Sequence, residues 1–471
     1  MVMSKRPRSR THLVGAAVAA MVVPLAIPAA AGERSESRLD TYVVPVGRGL
    51  DAMKQLRLGG DAAEVNRVAL AAEPRARLAA ETVGPAARSS VLAKRASGNA
   101  LPGLARRAAA APAAVSYPEP SRTMSAAECK RGLGTDKSFF IKSRFAVCSG
   151  ASFVQRWLRN NRPVGESMFN VFVVGTIASN SRTIKFTHHI TDMETTGSTG
   201  ASLMRVKLSA SLPQHWPARA TFTQAGGLPV TKSWPEMGRL GSFQHTVHNR
   251  PGQGMSGRVD TVFAIYQPSV KLTPPPAWQM GGATGGDLFM LAPRWDAASY
   301  LGNPTGGGVP ARKGGAVFSY LATLRYSSKD GAPEQAVALH IKKAFTRPNA
   351  TKPPNALKDV HGQKASEPLH RLYHDAERRK TNRARAVSTC RRYYGADYAT
   401  GGKECDEYPF ATTYQGCAEA EYNVYAEKKN FSAMPVPRDD NGSAGTLLGQ
   451  FYKKNRVIDG PDDGFLVKIT S

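Results

Sequence analysis

Apolar and polar residues alternate in short runs between about residues 127 and 345. Gly, Ser, Asn and Pro cluster between these runs, as they do in turns. A period of two is typical of half-buried strands, and many short strands with such turns favour an antiparallel sandwich or barrel. The pattern predicts a β-rich, sandwich-like middle domain over residues 125–345, with a helical turn at 151–159. The predicted strands cover residues 139–141, 169–177, 183–190, 203–208, 259–266, 316–326 and 336–341.

The neighbouring histidines His188 and His189 are a candidate ligand pair in this domain. Successive residues of a strand point to opposite faces, so both cannot easily bind one ion. The Gly-rich stretches 281–286 and 306–308 lack the Lys-Ser/Thr ending of a phosphate-binding loop. We interpret these residues as structural, and the sequence assigns no role to the domain.

The N-terminus has the features of a secretory signal peptide. Four cations precede an apolar run from residue 13 to 27, and small alanines follow at 29–31. We expect cleavage after Ala31, so that residues 1–31 are removed and the mature protein is secreted and extracellular. No other segment approaches the roughly 18 apolar residues of a membrane span, so we expect no stable membrane insertion.

Residues 32–124 differ from the rest of the chain. Ala and Arg dominate, aromatic residues are nearly absent, and Gly or Pro interrupts each apolar run. This pattern offers no face that would bury a core. We therefore expect a propeptide or a flexible spacer.

The whole chain is strongly basic. Its 471 residues include 63 Lys and Arg against 36 Asp and Glu, a net charge of +27. This excess predicts an anionic partner: nucleic acid, an anionic wall polymer or a membrane surface.

The five cysteines form two groups. Cys129 and Cys148 lie in the middle region, and Cys390, Cys405 and Cys417 lie near the C-terminus. There is no CxxC spacing that would indicate zinc. In a secreted protein the grouping predicts a Cys129–Cys148 disulfide, one further pair among the last three, and one thiol left over.

A Pro- and Asn-rich stretch at 346–357 predicts a linker, and residues 358–471 have the size of a small domain. Its first element is predicted as a helix, with Ser366 as the cap and Pro368 in the first turn. Cations crowd this helix and suit a phosphate backbone, although a solvated helix face is the alternative.

The acidic pair Asp406 and Glu407 is the most informative feature of this domain. Pro409 prevents a helix from continuing, so both carboxylates are expected at a strand end or turn. Carboxylates on a basic background suit a nuclease, because cations attract phosphates while the carboxylates hold a metal or take a proton.

A second polar run, residues 438–445, is predicted as a turn before a helix at 446–452. Its Asn441 supplies a hard oxygen that suits Mg²⁺. Residues 421–426 and 464–469 are predicted as strands. The order of acidic strand end, second strand, Asn-bearing turn and helix predicts a ββα-metal arrangement.

These residues resemble the NucA/NucB-type secreted deoxyribonucleases of bacteria. The motifs are Asp-Glu-aromatic-Pro-x-Ala at 406–411 and Asp-Asn-x-x-Ala-Gly-x-x-x-Gly at 440–449. They cover about the last quarter of the chain. The resemblance implies a multidomain protein in which a small α+β C-terminal domain of ββα-metal, His-Me finger-like type follows the β-rich domain.

The resemblance also implies roles for individual residues. Asp406 would activate the attacking water with the assistance of Glu407. Mg²⁺ or Mn²⁺ would bind Asn441, Glu407 and Gln450. The phosphate backbone would be held by Arg378, Arg379 and Arg383.

The implied function is a secreted, divalent-metal-dependent endonuclease that cuts DNA with little sequence preference. RNA is an alternative substrate, because phosphate contacts do not distinguish the two. Two other functions stay open. One is a non-catalytic protein that holds extracellular DNA or another anionic polymer. The other is a secreted nuclease toxin, which would require a cognate immunity protein.

The cysteines depart from the family pattern. Smaller members of the family carry a cysteine a few residues after the acidic pair, whereas here Cys405 precedes the pair and Cys417 follows it later. We favour a Cys390–Cys405 disulfide, which would brace the loop before the acidic pair, with Cys390–Cys417 as the rival.

Overall fold

The structure is a computed structural model that describes residues 36–59, 65, 115–255, 259–301 and 314–471. The predicted signal peptide, residues 1–31, and most of the Ala- and Arg-rich segment lie outside the described residues. The described part is mostly β with few helices, and its buried residues form two principal cores. We name the parts around them the β-rich unit and the C-terminal unit. No helix in the described part is both long and apolar enough to cross a membrane.

Eight strands form the larger sheet of the β-rich unit: β1 (Ser37–Val44), β2 (Phe139–Ser143), β3 (Ala146–Arg159), β4 (Arg162–Ile177), β5 (Thr183–Gly197), β7 (Phe222–Gly226), β9 (Ser242–Asn249) and β11 (Trp278–Met280). Their order is β11-β1-β3-β4-β5-β9-β7, with β2 also paired to β3. All pairs are antiparallel except β1 with β11.

Six strands form the second sheet: β6 (Arg205–Trp216), β8 (Val230–Ser233), β10 (Val262–Thr273), β12 (Gly285–Asp287), β13 (Pro293–Asp296) and β14 (Gly315–Phe318). Their order is β14-β13-β10-β6-β8, with β12 beside β10. One core contains apolar side chains of both sheets, and Phe186 of β5 stacks on Tyr266 of β10 with ring centroids 3.6 Å apart. The two sheets therefore share one core, and the middle region is β-rich as predicted, with curled sheets.

Short helices flank these sheets: α1 (Gly49–Arg57), α2 (Ala126–Leu133) and α3 (Trp234–Leu240), together with 3₁₀ turns at Val46–Arg48 and Ala201–Leu203. A capping box starts α2, because Ser125 accepts from the Glu128 amide while Glu128 accepts from the Ser125 amide. A disulfide between Cys129 and Cys148 ties α2 to β3.

The C-terminal unit contains β15 (Ala322–Ser327), α4 (Gln335–Thr346), a 3₁₀ turn (Pro348–Ala350), α5 (Ala376–Tyr394), β16 (Lys403–Tyr408), α6 (Glu419–Tyr422), β17 (Ser432–Pro437), α7 (Arg438–Lys454) and β18 (Phe465–Thr470). β16 and β17 form an antiparallel hairpin that leads directly into α7. β15 and β18 pair in parallel.

The C-terminal unit is larger than the predicted domain of residues 358–471. Leu324 of β15, Ile341 of α4 and Tyr117 are buried in the same core as Phe451 and Phe465. The predicted boundary at residue 345 is therefore wrong, because β15 and α4 complete this unit and not the sandwich.

The stretch 346–357 is also not a free linker. Lys352 accepts a backbone hydrogen bond from Ala433 of β17 at 2.8 Å, and Thr351 is buried. The ammonium of Lys358 donates to the carbonyl of Pro353. These bonds attach the segment to the C-terminal unit.

Part of the predicted spacer, residues 32–124, is folded. β1 lies inside the larger sheet beside β3, and Leu39 and Val44 are fully buried. The expectation that nothing in this segment buries a core is wrong for residues 37–57, whose apolar positions are few but face the sheet.

Several predicted elements differ from the observed ones. Residues 151–159 are strand β3 and not a helical turn, and residues 336–341 lie in helix α4 and not in a strand. Residues 421–426 form the end of α6 and a turn. The helix expected from Ser366 begins at Ala376 with Asp375 as its cap, and the helix expected at 446–452 already starts at Arg438.

Buried ion pairs join the two units. Arg144 and Arg294 of the β-rich unit flank Asp463 of the C-terminal unit, with N–O distances of 2.7 and 2.6 Å. A third pair has its charges the other way round: Arg456 of the C-terminal unit lies 2.7 Å from Asp296 of the β-rich unit. All five side chains are buried. Because an unpaired charge in such a place is costly, removing one member of these pairs should destabilise the interface.

Candidate active site

The acidic pair lies on the hairpin strand β16, and the strand geometry separates its two members. Side chains alternate between faces along a strand, so Glu404 and Asp406 share one face while Cys405 and Glu407 share the other. The contacts agree: Asp406 meets α4 and Glu404 meets α7, whereas Cys405 and Glu407 meet α5. The hairpin is thus held between α5 on one side and α4 with α7 on the other.

Asp406 is held by a buried histidine. Its Oδ2 lies 2.6 Å from Nδ1 of His340, and Nε2 of His340 lies 2.7 Å from Oγ of Ser432. His340 is fully buried, Ser432 is 1% exposed and Asp406 is 5% exposed. A carboxylate only accepts, so the proton belongs on Nδ1, and Nε2 then accepts from the Ser432 hydroxyl.

This chain of contacts has the connectivity of a Ser-His-Asp triad but the opposite orientation. In a triad hydrolase the serine meets the substrate. Here Ser432 is enclosed within β17, and Asp406 is the member with exposed surface. The arrangement therefore suits a carboxylate that accepts a proton, and not a serine nucleophile.

Glu407 lies on the other face of the hairpin. Its carboxylate forms an ion pair with Arg383 of α5, which also donates to the carbonyl of Cys405. Burial raises the pKa of Glu407, although the Arg383 charge opposes this effect. The structure does not bring Glu407 to Asn441, so a cation shared by these two residues, as predicted, does not fit this geometry.

Asn441 lies in the first turn of α7, next to Glu404. Its Nδ2 donates to Oε2 of Glu404 at 3.0 Å, and Nε of Arg438 lies 3.2 Å from the other carboxylate oxygen. The neighbouring Asp440 accepts from the backbone amide of Ala336 at the start of α4. Glu404 is a member of this site that the sequence interpretation missed.

Gln450 has a structural role. Its Oε1 accepts from the amide of Tyr117 at 2.7 Å, and its Nε2 donates to the carbonyl of Val115 at 2.9 Å. Lys454, one turn further along α7, donates to the carbonyl of Tyr117. The structure does not place Gln450 with Asn441, and both ends of its amide are used to hold this extended segment.

The three predicted phosphate-binding arginines differ in availability. Arg378 is 3% exposed, donates to the Tyr414 carbonyl and lies over the rings of Tyr414 and Tyr422, so its predicted role in DNA binding does not fit. Arg379 is partly exposed and donates to the carbonyl of Tyr373. Arg383 is partly exposed and is paired with Glu407, as described above.

A disulfide between Cys390 of α5 and Cys405 of β16 fixes the hairpin beside α5. This is the favoured pairing and not its rival. Cys417 is a buried free thiol whose pKa is raised well above its usual value by burial. Both disulfides are consistent with an extracellular protein.

His340 is the residue that sequence interpretation missed most clearly. It lies in α4, which was predicted as a strand because residues 336–341 are largely apolar. The helical spacing of the buried residues Val337, Ile341 and Ala344 was a usable signal. Nothing local connects His340 to Asp406, 66 positions away.

A divalent cation has a partial set of donors here. Within the described residues, no group of three or more His, Cys, Asp or Glu side chains is arranged to hold a metal. Mg²⁺ usually takes one or two carboxylates and completes its shell with water and phosphate oxygens. Glu404 and Asn441 lie together, but Nδ2 of Asn441 and Nε of Arg438 occupy the two Glu404 oxygens, so a cation would have to displace these contacts. Glu407 and Gln450 lie elsewhere.

The hairpin, the following helix and the carboxylate–histidine pair together form the candidate acid–base site of this unit. Residues 358–467 match the family model of deoxyribonuclease NucA/NucB, which confirms the resemblance of the C-terminal region. The match indicates a DNase domain, with DNA as the substrate that such a domain implies. It spans about a quarter of the chain and leaves out β15, α4 and the β-rich unit. A comparison with curated proteins finds no match for the chain.

Proposed function

We propose that this protein is a secreted, divalent-metal-dependent endonuclease that hydrolyses DNA with little sequence preference. Its C-terminal unit would be of the ββα-metal, His-Me finger-like type. The observation that carries the proposal is Asp406, a carboxylate fixed by His340 on the hairpin of a region that matches a deoxyribonuclease family.

Asp406 would accept the proton of the attacking water. The hydrogen bond from His340 engages Oδ2, and Oδ1 has no hydrogen-bond partner among the described residues. This second oxygen is the proton acceptor. The serine behind the histidine keeps the donor nitrogen directed at the carboxylate.

Glu404 and Asn441 would hold Mg²⁺ or Mn²⁺. The ion supplies charge neutralisation at the phosphate and lowers the pKa of bound water. Arg438, whose side chain is half exposed beside Glu404, would turn toward the DNA backbone when its carboxylate partner is engaged.

The positive charge supports a polyanionic substrate. The net charge of +27 attracts phosphates without reading base sequence. On α5 the exposed cations include Arg391 and Arg392, and Arg379 and Arg383 are partly exposed. These side chains are better placed for phosphate contacts than the buried Arg378. The leader-like N-terminus and the two disulfides support secretion.

The test is plasmid cleavage by the purified mature protein with Mg²⁺, Mn²⁺ or EDTA, beside Asp406→Asn and Asn441→Ala. We expect nicking of circular DNA that EDTA abolishes and that Asp406→Asn lowers by roughly 10²–10⁴-fold. Cleavage that survives EDTA, or that Asp406→Asn leaves intact, rules out this mechanism. RNA offered in parallel measures substrate preference.

A further inference from the structure

We propose that His340, on a helix outside the family-matched region, is a positioning residue for Asp406, and that Ser432 fixes its tautomer. This inference rests on the proposed function, because it concerns the same carboxylate. It assigns α4 a part in catalysis that the match to residues 358–467 does not contain.

The geometry carries the assignment. Both ring nitrogens of a fully buried imidazole are used, one on Asp406 at 2.6 Å and one on Ser432 at 2.7 Å. A carboxyl group turns about its terminal torsion with little restraint of its own. The hydrogen bond from a buried side chain that is itself held at both nitrogens restricts this freedom and so fixes the orientation of Oδ1.

The position of α4 is itself fixed from two other directions. At its N-terminus the Ala336 amide donates to Asp440 of α7, and the preceding strand contributes Tyr326, whose hydroxyl donates to the carbonyl of Ala444. Val337 and Ile341 of α4 also pack in the core of the C-terminal unit. Because α4 is anchored to the helix that carries Asn441, His340 couples the proton acceptor to the proposed cation ligands.

Two amide substitutions separate the contacts of His340. Asparagine places an N–H close to the position of Nδ1 and can still donate to Asp406. Glutamine reaches the position of Nε2 and can still meet Ser432 but not Asp406. We expect His340→Gln to lower kcat for plasmid nicking by about 10²-fold with KM unchanged, because only the reacting geometry is lost. His340→Asn should recover at least tenfold of that loss.

Ser432→Ala keeps His340 but removes the hydrogen bond to Nε2, so the ring proton is no longer confined to Nδ1. We expect kcat to fall by about tenfold, and this variant decides the question if both His340 variants fail to fold. His370→Gln is the matched control, because His370 is a partly buried histidine of this unit that bonds Gln415 and not Asp406. We expect it to change the melting temperature and leave kcat unchanged.

The results distinguish positioning from packing and from the proposed function. Folded His340→Gln or Ser432→Ala with the wild-type kcat overturns the role of His340. Equal kcat for His340→Asn and His340→Gln at equal melting temperature overturns it as well. A wild-type protein that cleaves no DNA with any divalent cation overturns both proposals, whereas cleavage that depends on Asp406 but not on His340 overturns only this one.

Discussion

The two units each bury a histidine network, and the histidines of the two networks have different partners. In the sandwich, the hydroxyl of Tyr266 lies 2.9 Å from nitrogens of both His188 and His245. In the C-terminal unit, His340 lies between Ser432 and Asp406. The first network is centred on a phenol that is fully enclosed, whereas the second ends on a carboxylate that is 5% exposed.

The electrostatics follow this difference. Burial lowers the pKa of His188 to about 3 and that of His245 below its usual value, and it raises the pKa of Tyr266. We therefore expect the network of the β-rich unit to stay neutral and to contribute to packing and hydrogen bonding. A buried histidine does not mark a functional site by itself. What distinguishes His340 is a charged partner near the surface.

The largest expected effect concerns the buried ion pairs between the two units. Asp463→Ala would leave Arg144 and Arg294 buried without their shared carboxylate, and we expect a loss of about 3–5 kcal/mol in the free energy of unfolding. Denaturant unfolding followed in both units measures it. Asp359→Ala, which removes the exposed pair with Lys364, is the control and should cost under about 1 kcal/mol. Unchanged stability in Asp463→Ala would mean that the two units are held independently.

A third buried group extends the comparison to pH. Burial raises the pKa of Glu419 to about 7, although Arg378 opposes the shift. The folded state thus keeps this proton while the unfolded chain has lost it, so stability is highest at low pH and falls as pH rises from about 4.5 to about 7. Relative to Glu419→Gln, the wild type should lose up to about 3 kcal/mol across this window. Melting curves of both proteins against pH test this, and parallel curves would contradict it.

Tyr266→Phe tests whether the sandwich network is only structural. Two buried histidines would lose their common partner, so we expect a loss of about 1–3 kcal/mol in stability. The kcat for DNA cleavage should not change. A fall in kcat with KM unchanged would show that the two networks are not separate in function.

The smallest expected effect sharpens the difference between the adjacent carboxylates. Glu407→Gln keeps the shape of a side chain that faces Arg383 and not the site of Asp406. We expect kcat to stay within about tenfold of the wild type, less than about 1.4 kcal/mol of transition-state stabilisation. A fall in kcat as large as that of Asp406→Asn would show that Glu407 takes part in catalysis.

The sequence predicted what depends on local pattern. Alternation identified six of the fourteen strands of the β-rich unit, and the two motifs singled out Asp406 and Asn441. The alternation that separates His188 from His189 also separates Asp406 from Glu407, and the sequence interpretation did not apply it to the acidic pair.

The contacts that cross the predicted domain boundary were not visible. β15 was assigned to the sandwich because it alternates like the strands before it, yet its partner is β18 at the other end of the unit. His340 was missed for the same reason. Pairings over such separations depend on packing of the whole unit, which no local window contains.

The pairing of β15 with β18 has a consequence for the order of assembly. Strands β16 and β17 and helix α7 follow one another along the chain, so their contacts close shorter loops than those of β15 and α4 and can form earlier. β15 and α4 must instead meet partners far along the chain, and that closure is slower. We therefore expect Asp406 to reach its hairpin before His340 reaches Asp406. The last event of folding would then be the one that makes the carboxylate competent, and incompletely folded chains would be inactive.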